Sequence, residues 1–192
     1  MKTIINILIV LGIVWLAYML YNSIREPIAF KGEKEKRETA VINKLKKIRQ
    51  AQEIYRSVTG TFAGSFEALS DTIKNGQIPV LKVEGDPDDP TGGEFKIDTL
   101  YFSAADSVVA MGINVDSLRF IPYTNGESFN IAADTLTYQQ TVVNVVEVGV
   151  ARKVFMGEFA DPRFAKYDDS YDPNKVLKFG DLSSPNTSGN WE

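Results

Sequence analysis

The residues best suited to chemistry are a short run of acids. Asp86, Asp88 and Asp89, flanked by Glu84 and Glu94, lie in Lys82–Glu94 (KVEGDPDDPTGGE). Clustered carboxylates are hard oxygen donors, and the cation they suit is calcium. The spacing does not follow the EF-hand template, and Pro87 and Pro90 stiffen the loop. A solvated turn is the competing reading. Asp168, Asp169 and Asp172 form a second, weaker acid group. Paired carboxylates can also cleave glycosidic bonds, but no other motif supports that chemistry here.

Other chemistries are closed to this chain. It contains no cysteine and no histidine. Disulfides, thiolate metal sites, imidazole acid–base catalysis and the Ser-His-Asp triad are therefore excluded. No phosphate-binding glycine loop and no nucleophile elbow is present. The expectation is a protein that is not an enzyme and needs no cofactor, with calcium the one candidate ion and no small-molecule substrate.

The elements that carry these residues begin with a long apolar run. Met1–Tyr21 reads MKTIINILIVLGIVWLAYMLY, uncharged from Thr3 onward. About 18 residues at 1.5 Å per residue give roughly 27 Å, close to a bilayer core. Ile7, Leu11, Trp15 and Tyr18 represent its surface, and Trp15, Tyr18 and Tyr21 lie toward one end, where an aromatic belt belongs. The following LYNSIREP offers no small-residue cleavage site, so the run reads as an uncleaved single-pass anchor with the lipid bilayer as partner.

Glu26-Pro27 and Gly32 predict a break in the helix. A second helix is expected over residues 33–58. Val41, Leu45, Ile48, Gln52 and Tyr55 recur at helical spacing on one face, a stem face for packing on the head or on a neighbouring subunit. Gly60 is the stop signal. Ser65 is a candidate cap for a short helix carrying Phe66, Leu69 and Ile73.

Strand chemistry begins at Phe95. Segments 95–102, 107–111, 117–122, 129–132 and 136–138 are each short and apolar enough for strands, and Asn125-Gly126 signals a hairpin. Gln140–Met156 is rich in valine and is the best strand candidate. From Phe159 the chain is polar and acidic, with Pro162, Pro173 and Pro185 and scattered aromatics. It reads as an irregular extension wrapping its own head or a neighbour. The organisation expected is residues 1–32 as anchor and kinked linker, 33–158 as head and 159–192 as extension.

Charge is unevenly distributed. Residues 22–60 carry ten Lys/Arg and five Asp/Glu, whereas residues 61–192 carry ten Lys/Arg and twenty Asp/Glu. A basic stem under an acidic head argues against a nucleic-acid partner, because phosphates are repelled. The same asymmetry allows stem-to-head attraction between copies in an assembly.

The order of anchor, proline break, amphipathic helix, loop and antiparallel strands resembles type IV pilins and the pseudopilins of type II secretion. Ile48-Arg49-Gln50-Ala51-Gln52-Glu53-Ile54-Tyr55, Thr59-Gly60-Thr61-Phe62 and Phe66-Glu67-Ala68-Leu69 are similar to the wording at the end of the pilin helix and after it. Asp89-Pro90-Thr91-Gly92-Gly93-Glu94-Phe95 resembles a pseudopilin loop. The sequence as given shows no basic leader and no glutamate in the apolar run, which marks an atypical member. The resemblance implies an α+β fold, a long N-terminal helix packed on a small antiparallel sheet, and a homo-oligomeric structural subunit of a filament, tube or lattice. It also implies an extracytoplasmic head, although the Lys/Arg count around the anchor favours the reverse. The alternatives are a non-catalytic accessory subunit of a secretion or envelope complex, and a membrane-tethered ligand-binding domain.

Overall fold

A computed structural model of the chain describes residues 2–84 and 96–192. Helix α1 spans Lys2–Thr59, about 87 Å at the standard rise. It runs without interruption through Pro27 and Gly32, which corrects the expected break. Proline removes one N–H and crowds the preceding turn, at a cost of about 3 kcal/mol in a helix interior. Here the head grips the helix on both sides of it. The Tyr167 hydroxyl donates to Glu26 at 2.5 Å, and Phe30 is fully buried. Those contacts hold the helical path that local propensity disfavours.

From Phe30 onward α1 is a core element. Val41, Leu45, Ile48, Ala51, Gln52 and Ile54 are buried, the stripe that the spacing predicts. Gln52 is the polar member. Its amide donates to the Ala63 carbonyl and accepts from the Ala63 N–H, both at 2.9 Å. This pair pins the connector after α1 and satisfies backbone groups that would otherwise be buried unpaired. Gly60, with φ of 81°, ends the helix.

Helix α2 (Phe66–Asn75) is capped by Ser65, whose hydroxyl accepts from Ala68 N at 3.2 Å. Strands β1 (Gln77–Glu84) and β2 (Lys96–Ser103) then form a two-stranded antiparallel ribbon, with Val80 opposite Leu100. Pro79 sits in β1, which is open on its far edge, where a missing N–H is tolerated.

Residues 107–111 are not a strand. They lie in and just after helix α3 (Ala104–Ala110), capped by Ser103, which accepts from Asp106 N. Ala104 and Val108, one turn apart, are its buried contacts. Segment 117–122 and the Asn125-Gly126 turn likewise yield a single bridge, Phe120 to Ser128, rather than a hairpin of full strands.

Strand β3 (Asn130–Tyr138) unites the two short segments read from sequence, and β4 (Thr141–Ala151) returns beside it. Gln139 and Gln140 both take positive φ, 46° and 66°, the geometry of a tight two-residue turn. After α4 (Arg152–Met156) and two 3-10 turns, β5 (Val176–Gly180) joins the other edge of β4. Gly180, at φ of 77°, lies so close to the Val146 carbonyl that a β-carbon would collide with it.

The fold is therefore α+β, with one long N-terminal helix and two small antiparallel sheets. The segment read as an irregular extension is built into the head. Phe159, Phe164, Tyr171 and Phe179 are buried in the same core as Leu45 and Leu69.

Candidate functional site: the apolar helix and its collar

Before Glu26, α1 has none of the head packed around it. Ile7, Leu11, Trp15 and Tyr18 are all exposed, as are the other large apolar side chains from Ile4 to Ile28. Among the described residues, none before Phe30 is buried. An exposed apolar surface of this extent needs a partner in place of water. The helix is long and apolar enough to cross a membrane, the one such helix among the described residues. Residues 4–24 alone span about 30 Å, the thickness of a hydrocarbon core.

Where the bare helix meets the head, it enters a collar of aromatic rings. Phe30 stacks on Phe164 at 5.2 Å between centroids and meets Tyr171 edge-on at 4.9 Å. Phe159 packs edge-on against Phe164 at 5.1 Å, and Tyr167 closes the group beside Phe30. Offset and edge-on pairs add about 0.5–1.5 kcal/mol each beyond the area they bury. The Tyr171 hydroxyl donates to the Phe159 carbonyl at 2.6 Å, so the buried ring carries no orphan donor.

Polar ties surround the rings. Lys34 pairs with Asp168 at 2.5 Å, and Arg152 pairs with Glu38 at 2.6 Å, both partly buried. Arg37 donates to the Phe155 carbonyl at 2.8 Å. The Lys34 ammonium, helped by the Ser170 hydroxyl, pulls the Asp168 carboxyl down to about 2. Further along, Arg49 reaches Glu192 at 2.9 Å, near the end of the chain. Lys34 and Arg49 are stem cations that meet acids of their own head, while the Arg152–Glu38 pair runs the other way, so charge pairing between stem and head already occurs within one chain.

The stem face has the same fate. Val41, Leu45 and Ile48 are fully buried and Tyr55 is half-buried, all against the head of the same chain. Asp86, Asp88 and Asp89 lie outside the described residues. Asp168 is occupied by Lys34 and Ser170, and Asp172 accepts from the Asn174 N–H. Among the described residues, no group of three or more acids is placed to hold a metal ion.

Strand β2 matches the expected segment 95–102, whereas β1, and with it the apolar β1–β2 ribbon, is not anticipated from the sequence. Leu81 and Tyr101 on it are 67% and 64% exposed. The signal is present in IPVLKV and KIDTLYFS, two apolar stretches on either side of the acid-rich sequence. The collar was foreshadowed only as scattered aromatics in the tail. The chain matches no known protein family, no characterised protein sequence and no solved structure.

Proposed function

We propose that this protein is a membrane-anchored structural subunit whose copies assemble side by side into a filament, tube or lattice. The observation that carries this reading is the division of α1. Residues 4–24 are predominantly apolar and uncovered by the head, and from Glu26 onward the same helix is held by the head without a break between them. Such a helix transmits the orientation of the anchor to the head, so copies in one membrane present their heads in register. Gly12 and Ala17 are small residues that allow close approach of neighbouring helices. In this reading the likeness to pilins is one of architecture, a greasy helix continuing into a small sheet-bearing head, and the head faces away from the cytoplasm.

The test is gentle extraction of the full chain from membranes, followed by light scattering and electron microscopy. The proposal expects particles containing many copies. A monomer peak across a wide concentration range contradicts it. Protease treatment of intact cells, against lysed ones, checks the side: the head is digested in intact cells if it is outside and survives if it is inside.

A further inference from the structure

We propose that the β1–β2 ribbon is the surface through which heads associate, and that its occupant is the same ribbon of a second copy. This rests on the anchored, self-associating reading above and names the surface it uses.

Register divides the ribbon into two faces. Pro79 opposite Tyr101, Leu81 opposite Thr99, and Val83 opposite Ile97 share one face. That face is the more open of the two, since Leu81 and Tyr101 are more exposed than Val80 and Leu100 on the other. Among the described residues it contains no charged side chain. The other face carries Lys82 opposite Asp98. A two-stranded ribbon is marginal in water and needs a third layer to cover it.

Three observations select a second copy as that layer. The first is height. The ribbon leaves the head at Gly76, where a β-carbon would sit 2.9 Å from the Val58 side chain, so it starts at the far end of α1. From Ile24 to Val58 is about 51 Å along the helix, which puts the ribbon well clear of a bilayer around residues 4–24. Lipid therefore does not cover it.

The second is size. Eight-residue strands give each face a footprint of roughly 27 Å by 10 Å. That is well below the about 800 Å² per partner that a stable complex between freely diffusing proteins buries. Contact of this size suffices between molecules that a membrane already concentrates and orients. The third is symmetry. Identical anchors and rigidly attached heads hold every ribbon at one height, and a two-fold axis along the membrane normal brings the patch against itself. The open face, uncharged on a head with ten Lys/Arg and twenty Asp/Glu, has no charge to set against its own copy.

The absence of cysteine makes the test clean. Single cysteines are introduced into the full-length chain as Leu81→Cys, Thr99→Cys and Tyr101→Cys, with Asp71→Cys on α2 as the control. Membrane vesicles are then oxidised with copper-phenanthroline. Disulfide-linked dimer at one or more ribbon positions, about tenfold above the control, is expected. In parallel, Leu81→Asp with Tyr101→Asp is expected to reduce the extracted particles to smaller assemblies, with membrane fractionation and thermal unfolding unchanged. If the unmodified chain extracts as many-copy particles, yet no ribbon cysteine cross-links and the double variant assembles normally, the ribbon proposal fails and the assembly reading stands. If the unmodified chain extracts as single copies and no ribbon cysteine cross-links, both fail. Cross-linking of the ribbon only to a different protein overturns the choice of occupant.

Discussion

Phe30 and Phe102 stand at opposite ends of the head and are treated in opposite ways. Phe30 is fully buried, in ring contact with Phe159, Phe164, Tyr167 and Tyr171. Phe102, at the base of the ribbon, is 52% exposed. Both are aromatic residues close to an apolar segment that the head does not cover. The collar is packed because it transmits a fixed direction from helix to head. In the proposed reading the ribbon is left open because its complement comes from a second copy. Among the described residues, exposed large apolar side chains run continuously along the bare helix and along the ribbon, with others such as Val109 and Val142 elsewhere on the head; in the proposed reading the helix meets lipid and the ribbon meets another copy.

The largest effect that sharpens this contrast is on the bare helix itself. Leu11→Lys with Val14→Lys places two charges in mid-span at about 3 kcal/mol each. The chain is expected to leave the membrane fraction while the thermal unfolding of its head is unchanged. Retention in carbonate-washed membranes would break the account at that end. Next comes Phe30→Ala, which opens a cavity among four rings and is expected to destabilise the head by about 3–5 kcal/mol. Tyr101→Ala, on the open face of the ribbon, is expected to cost the head less than about 1 kcal/mol and to weaken association instead. Equal losses of stability, measured by unfolding in detergent, would abolish the distinction between the two ends.

A smaller effect is predicted inside the stem. Gln52→Leu leaves the buried Ala63 N–H and carbonyl without partners, a cost of about 1–3 kcal/mol in unfolding free energy. Smallest is the salt bridge of the collar. Asp168 titrates at about 2 in the folded state, below its unfolded value. Its contribution is therefore complete above about pH 5 and is lost as pH falls through about 2. Lys34→Met is expected to bring the Asp168 carboxyl back up toward the ordinary carboxylate range, read by NMR titration, and to flatten that acid limb.

Parts of this were legible in the sequence. The stem stripe was, because Val41, Leu45, Ile48 and Gln52 recur with the period of a helix and the head covers that face. The Ser65 cap was, because capping is a local hydrogen bond. Continuity through Pro27 was not, since it depends on Tyr167 and Phe164, more than a hundred residues away in the chain. Helix α3 reads as a strand in the sequence because Val108, Val109 and Ala110 form an apolar run too short to show its period. Ser103-Ala104-Ala105-Asp106 was the overlooked capping pattern. Strand β1 was hidden by its proline, and β5 by its brevity within a polar segment. Helical spacing alone does not say whether the stem face packs on the head or on a neighbour, and burial of Val41, Leu45 and Ile48 assigns it to the head.

The central claim is that anchored copies associate through their heads. It is tested most directly by extracting the full chain into polymer-bounded lipid discs and weighing single particles by mass photometry. Discs holding two or more copies are expected, with the distribution shifting to single copies in Leu81→Asp with Tyr101→Asp. Discs holding one copy at every expression level would contradict it.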